Sequence, residues 1–489
     1  MKRRSIAILL VLCLCAALVA ACGNGGTAGP AADPGGGAAD TPAGPAVDSP
    51  GPARLGFWDR DYDYSQHQRF RFVYMVSGPG PLFDSWDEQF AVWADRLNMD
   101  YHGMWAPADG SNEEFLIQLE TFIDMGMDGI LFDADDAIVW RVVEILEQNN
   151  IPWLSGMSQA RDLEQPYSVD GEFVAGRLLG SAVGFNQIAV GREMAGNLID
   201  WTLENRPNIP PERLGFISFD FTLSPPLHER ALGAEQVWAE RFPQFGAFHA
   251  SPAINPDNFW LLDAAVGTFD QATAIDLLTV FLSNPPPEAA GIEFWLICTL
   301  ISDQAMGAQI TLENFNMVDD AVITSFGGIA VVAAMWEQGL DTAWRIHLDT
   351  APALFTEVVI NTFWALVAGF ATHDTIHPEW RVVWDKGDTF EISSDIDPAL
   401  GVPRIATNDD GSAIILAERS FSTMALPMVK VTHETFREFL AWGDLYEFGP
   451  DATPEQRNWP QFPMVYDIDL VELSVDPWHV QTTWPRYWP

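Results

Sequence analysis

The chain has 489 residues, 48% apolar and only 19% charged, enough to bury the cores of roughly two to four domains. Asp and Glu total 68 against 25 Lys and Arg, a formal charge of −43. That field repels phosphates, which excludes a nucleic-acid partner, and it opposes electrostatic docking on anionic lipid. Cys13, Cys15 and Cys22 precede the body, so Cys298 alone can make neither an internal disulfide nor a Cys-rich zinc or iron–sulfur site.

Residues 1–22 read as a secretory signal. Lys2, Arg3 and Arg4 form the positive start, and Ile6 to Val19 is an apolar run too short to span a bilayer. Leu18-Val19-Ala20-Ala21-Cys22 resembles a bacterial lipobox, which implies lipidation of Cys22. Residues 23–54, mostly Gly, Ala, Pro and Asp, cannot bury enough apolar surface to fold and read as a disordered tether. The expected location is extracytoplasmic: a body in water, held to the cell membrane by lipid only.

From Phe70 strands and helices alternate. Phe70 to Val76 is a β-rich run, and Phe90, Trp93, Ala94 and Leu97 recur at helical spacing. Asp100 to Trp105 predicts a second strand. Ser111-Asn112-Glu113-Glu114 is a capping box that opens a helix ending at Gly126. Gly129 to Phe132 and Ile151 to Leu154 predict strands around a helix from Val139 to Leu146. The alternation resumes with a helix from Ile188 and continues through Ile329 to Gln338. The expected fold class is α/β, with two doubly wound, Rossmann-like parallel-sheet lobes joined by a hinge. Residues 373–425 break the pattern as an insertion, and 443–489 form a Trp- and Pro-rich tail.

Several short motifs, in order, resemble the type I periplasmic binding proteins, especially the sugar-binding branch that serves ABC importers. Val76-Ser77, Pro81-Leu82-Phe83 and Ala94-Asp95-Arg96-Leu97 match the first strand, its aromatic ligand loop and the first helix. Met125 to Ile130 and Asn150-Ile151-Pro152 match two strand entries. His228-Glu229-Arg230, Asp303 to Ala308 and Leu426 to Thr432 match the second lobe. The resemblance implies an N-terminal lobe at 68–183, completed by about 348–372, and a C-terminal lobe at 184–347, completed by about 426–442. It implies a solute in the inter-lobe cleft, Phe83 packed on a sugar ring, and Arg230 as a fork of donors for hydroxyls or a carboxylate.

Some positions depart from the family pattern. Gly80 stands where Asn is common, Met157-Ser158-Gln159 where Asp follows the fourth strand, and Phe326-Gly327 where Asp-Gly is usual. Each removes a polar partner for a hydroxyl, so the pocket is expected to be more apolar, or Asp84 and Asp136 take over. Trp86, at the start of the first helix, can stack on a ligand or lie in the core. Ser158, Gln159, Asp303 and Phe326 complete the candidate ligand residues.

Asp133, Asp135 and Asp136 read either as hydroxyl acceptors or as helix caps with first-turn charge. His373 and His377 are spaced like metal ligands, but Pro378 follows and the loop reading is preferred. No metal, cofactor or catalytic residue is expected. Triad, phosphate-loop and dinucleotide motifs lack their contexts. The near absence of lysine fits a high-salt exterior, where screening tames repulsion, or genomic base composition. The expected role is a monomeric solute-binding lipoprotein that captures a small polar solute, foremost a sugar, and delivers it to ABC permease subunits. The alternatives are the receptor subunit of a sensor kinase or chemoreceptor and, more remotely, a secreted glycan-active enzyme.

Overall fold

A computed structural model describes residues 51–440, apart from 53–54, 60, 79–80, 109, 158–159, 170–172, 186, 223, 249–254, 265–269, 351, 378–388, 391, 397–402, 406–414, 418–420, 422 and 427. The signal segment, Cys22, nearly all of the tether and the tail lie outside the described residues.

The first lobe builds in chain order. β1 (Phe70–Val76) is buried at every position but Arg71, the pattern of a parallel strand covered on both faces. α1 (Pro81–Arg96) turns Phe90, Trp93 and Ala94 inward. β2 (Met99–Trp105) follows. α2 (Asn112–Asp124) opens on Ser111, whose Oγ accepts from the Glu114 N–H at 3.3 Å, and the chain leaves it through Gly126 at φ +76°. Then come β3 (Gly129–Asp133), α3 (Val139–Gln148) and β4 (Trp153–Ser155). A hairpin, β5 (Arg161–Val169) and β6 (Phe173–Leu178), precedes β7 (Ala182–Gly184). Strands β2, β1, β3, β4 and β7 lie side by side and all run parallel. Val73 and Met75 pack on one face with α2 and α3, and Phe72 and Tyr74 on the other with α1.

The chain then enters the second lobe. α4 (Gln187–Asn205), β8 (Leu214–Asp220), α5 (Pro225–Arg241) and β9 (Phe259–Asp263) come first. α6 (Gln271–Ser283), β10 (Phe294–Cys298), α7 (Ser302–Phe315) and β11 (Ala321–Gly327) continue. α8 (Ala330–Glu337) and β12 (Trp344–Asp349) close the series. The strand order is β9-β8-β10-β11-β12, all parallel. α4 and α5 cross where Gly191 and Gly233 let the two backbones meet without side chains between them.

α9 (Pro352–Val367) returns to the first lobe and stacks Phe355 on Trp86, with ring centroids 3.9 Å apart. Two short pairs follow, β13 (Thr389–Phe390) with β16 (Ile415–Ala417), and β14 (Ile392–Ile396) with β15 (Pro403–Ile405). β17 (Thr423–Ala425) joins the edge of the first sheet, parallel to β7. This corrects the insertion read over 373–425: its last residues complete the first lobe, because pairing covers the otherwise bare edge of β7. β18 (Val429–Thr432) adds to the second sheet antiparallel to β12. The chain therefore passes between the sheets three times, after β7, β12 and β17.

Residues ahead of β1 strap the first lobe. Trp58 stacks on Tyr64 at 5.1 Å, Tyr64 meets Trp364 edge-on at 4.9 Å, and the Asn98 amide donates to the His67 carbonyl at 3.0 Å.

Candidate functional site

Open α/β sheets place ligands beyond the carboxyl ends of their strands. Here those ends face each other across a gap, and they enclose a cavity of about 240 Å³ lined by both lobes. That is just under the ~300–1,000 Å³ of ordinary ligand pockets and fits a small solute. The lobes meet at its rim: a Cβ on Gly328 would lie 3.6 Å from the Leu82 Cα.

The first lobe contributes Ser77 and Gly78 after β1, Leu82 and Phe83 on α1, the acids after β3, and Met157 after β4. Phe83 is half-buried, its ring edge-on to Trp86 at 5.6 Å. Trp86 itself is fully buried and stacked on Phe355, so it backs the wall instead of forming it. Asp84 is exposed on α1 and lies off the cavity wall. Ser158 and Gln159 lie outside the described residues.

Asp133, Asp135 and Asp136 all line the cavity. Their position gives little support to helix capping, since the N-cap of α3 is Ile138 and no side chain bonds there. Asp135 closes a local turn, its Oδ1 accepting from the Ala137 N–H at 2.8 Å. Asp136 reaches across the cleft, where its Oδ2 accepts from Ser224 Oγ at 3.5 Å. Asp133 is 3% exposed.

The second lobe supplies Gln187 at the head of α4, Phe221 after β8, Arg230 on α5, Asp303 at the head of α7, and Phe326 at the end of β11. Arg230 is 2% exposed. Its Nε donates to Gln187 Oε1 at 2.7 Å, its Nη1 to the Leu300 carbonyl at 2.6 Å, and its Cζ sits 4.4 Å from the Phe326 ring centre. Burial pushes the guanidinium down to about 9, with Asp133 and Glu229 pulling the other way. It therefore stays charged at neutral pH. Phe83 and Arg230 thus stand on opposite lobes of one cavity. Burial, helped by the charge of Asp270, holds the Asp303 carboxyl above its usual range.

Two features behind the wall escape sequence reasoning. A chain of rings runs from one wall through the first crossing to the other: Phe83, Trp86, Phe355, Phe185 and Phe326, each within 5.8 Å of the next. Fully buried His347 on β12 bonds the Gly327 carbonyl through Nε2 at 3.0 Å and Ser325 Oγ through Nδ1 at 2.8 Å. The carbonyl requires the proton on Nε2, so Ser325 donates to Nδ1. The neighbouring Asp349 accepts from the Ile329 N–H at 3.0 Å. Ser, His and Asp are the residue types of a hydrolytic triad, but Ser325 is fully buried, and the set pins the end of β11 to β12.

Elsewhere, His373 accepts from the Ser181 N–H through Nδ1 at 3.1 Å, and His377 is buried against Thr362 at 2.8 Å. Both serve the fold. Among the described residues no group of three or more His, Cys, Asp or Glu could hold a metal ion, and no helix is long and apolar enough to cross a membrane. Cys298 is buried, and burial pushes its thiol up, away from the reactive thiolate.

No protein-family model matches the chain, and no curated protein matches it. Solved structures do. The sugar-binding protein of a sugar ABC transporter from Bacillus halodurans aligns over 76% of this chain and 100% of its own, with 13% identity and a TM-score of 0.50. The fold is that of a type I periplasmic binding protein. An ABC-transporter solute-binding protein from Actinobacillus succinogenes 130z with bound D-allose aligns over 76% and 100% at 13% identity, with a TM-score of 0.49. Another from Bacillus halodurans C-125, with bound myo-inositol, aligns over 76% and 98% at 13% identity, with a TM-score of 0.48.

Proposed function

We propose that this protein is an extracytoplasmic solute-binding protein that captures a sugar between its lobes and delivers it to the permease of an ABC importer. The observation that carries the reading is the cavity itself, walled by both lobes at the carboxyl ends of both sheets. The likeness in fold to a sugar-binding protein supports it. Phe83 offers a ring face to a pyranose, and Phe326 holds Arg230 in place beneath it. The donors of Arg230 not spent on Gln187 and Leu300 serve hydroxyls, which Asp136 and Asp303 can accept from in turn. Lipid on Cys22 keeps the body at the membrane beside its permease.

Three crossings between the lobes act as the hinge, and a solute that touches both walls favours the closed form. Small-angle scattering with a monosaccharide panel tests this. A member that raises the melting temperature should also shrink the radius of gyration. A stabilising sugar that leaves the radius unchanged refutes closure, and no response to any sugar refutes the sugar reading. Cys22→Ser should release the body from membranes, and a variant that still needs detergent for release removes the lipid anchor.

A further inference from the structure

We propose that His347 is a positioning residue for solute capture: it ties the second-lobe wall of the cavity to the strand that runs into the hinge. The inference rests on the solute-binding reading and adds to it a residue that stands behind the wall. The wall in question is the turn after β11. Phe326, Gly327, Gly328 and Val331 all line the cavity, and Gly328 faces Leu82 on the other lobe.

That turn cannot hold its own shape. Two successive glycines leave the backbone unusually free, and Gly327 sits at φ +132°, a conformation that favours glycine. The β11–β12 ladder ends here, with Gly327 paired to Asp349. Three side chains take over. His347 Nε2 donates to the Gly327 carbonyl at 3.0 Å, Asp349 accepts from the Ile329 N–H at 3.0 Å, and Ser302 Oγ donates to the Gly328 carbonyl at 3.2 Å. Ser325 fixes the tautomer of His347: its Oγ donates to Nδ1 at 2.8 Å, which keeps the ring proton on Nε2. The Asp349 carboxylate, 3.8 Å from Nε2, favours the same tautomer.

Two of these three side chains stand on β12, where the hinge meets the second lobe. Asp349 ends β12 and leads through the second crossing into α9, and the neighbouring strand β18 begins just after the third. His347 itself is paired with Val431 of β18. The wall turn is therefore registered to the strand pair at which two of the three crossings meet the second lobe. When the lobes rotate about the crossings, the pins carry Phe326 and Gly328 toward Leu82 and Phe83 in one fixed arrangement. A turn set before the solute arrives loses little freedom on binding, which is the gain that preorganisation brings. Without His347, the solute itself must order the Gly327–Gly328 pair.

The test compares variants of the full chain. His347→Leu removes the donor to the Gly327 carbonyl, and His347→Gln replaces it with an amide N–H. Ser325→Ala removes the tautomer lock and carries the test if leucine does not fit the core. Thr342→Val is the control: its hydroxyl donates to Gln309 at 2.8 Å ahead of β12, at the end away from the cavity. It weakens the same strand without touching the turn. Hydrogen exchange read by mass spectrometry on the ligand-free protein reports the turn directly. Peptides over residues 326–331 should exchange ~10-fold or more faster in His347→Leu, less so in Ser325→Ala, and near the wild-type rate in His347→Gln and Thr342→Val. Calorimetry with D-glucose, D-galactose, D-allose and L-arabinose reports capture. Any of them that binds the wild type should bind His347→Leu ~10-fold more weakly, His347→Gln within ~3-fold, and Thr342→Val unchanged. Unchanged exchange in both His347→Leu and Ser325→Ala overturns the pinning. Faster exchange with unchanged affinity overturns the role in capture, as does an equal loss of affinity in Thr342→Val. Silence of all four sugars toward the wild type overturns the sugar reading and the capture role together, while the exchange rates still decide the pinning.

Discussion

Arg230→Ala tests the central element of the cleft. The side chain holds together the head of α4 through Gln187, the loop after β10 through Leu300, and the end of β11 through Phe326. Truncation leaves two buried acceptors without a charged donor, each worth ~1.5–3 kcal/mol. It also removes the positive charge facing Asp133 and Glu229. Losing one partner of a buried charged set costs ~3–5 kcal/mol, and we expect a loss in that range. Arg230→Lys keeps the charge, but one ammonium on a straight stem cannot match the planar fork that reaches both acceptors. It should recover no more than about half of the loss. Urea unfolding of the ligand-free protein, followed by tryptophan fluorescence and far-ultraviolet circular dichroism, reads the effect. Coincident transitions with an unchanged slope allow the midpoints to be compared as free energies. A change below ~0.5 kcal/mol in Arg230→Ala would refute the reasoning, since surface pairs are worth that little. Full recovery in Arg230→Lys would show that charge alone, without the fork, supports the wall.

Four further outcomes are expected from the same packing. Gly191→Ala drives a methyl onto the Arg230 carbonyl, 2.7 Å from its carbon, and should cost ~1–3 kcal/mol, whereas Gly196→Ala on the same helix meets nothing within 4 Å and should stabilise by ~0.5–1 kcal/mol; equal melting temperatures would refute the close crossing. Phe83→Ala should weaken solute binding by ~1–3 kcal/mol, while Trp86→Ala should instead lower stability by ~3–5 kcal/mol; chemical denaturation and calorimetry on both variants separate wall from core. Burial pushes His347 down to about 4, while the unfolded chain takes up a proton near pH 6.5. Stability should therefore fall by ~3 kcal/mol as pH drops through that window, and His347→Gln should flatten the fall in a melting-temperature series. His228 runs the other way: burial lowers its pKa, but its bond to Asp220 at 3.0 Å and that carboxylate's charge outweigh burial and raise it. Its contribution is complete below pH 6.5 and lost as pH rises through the raised value, a trend that His228→Asn should abolish.

The parts of the fold legible in the sequence share one property: their signal is local. β1, β8 and β10 are near-continuous apolar runs because helices cover both faces of each sheet, and Ser111 announces α2 by its own spacing to Glu114. β12 carries no such signal. Arg345 and His347 interrupt it, and the strand is acceptable only because Ser325 and Gly327, on a neighbouring strand, satisfy the imidazole. β17 is three residues whose pairing partner lies in β7, on the far side of an entire lobe in sequence. For Trp86 the helical period decides between ligand and core. With Phe90, Trp93 and Leu97 it forms one stripe at spacings of four, three and four, the inward phase of α1, and all four are fully buried. Phe83 opens the same helix one turn earlier and lies at its exposed end, where a wall residue belongs.

The cleft was legible only through resemblance, and its chemistry hardly at all. A binding-protein site is assembled from the strand-end turns of two sheets, so no window of sequence contains more than a fragment of it. Asp133 to Asp136 could be read as a capped turn, and Asp303 as ordinary first-turn charge on α7, because each reading is complete within its own segment. Only the fold brings these segments to opposite sides of one small space and shows Arg230 already engaged with protein acceptors. Phe326 reads in sequence as an ordinary core position, and the fold sets its ring 4.4 Å from the Arg230 Cζ at the wall of the cavity.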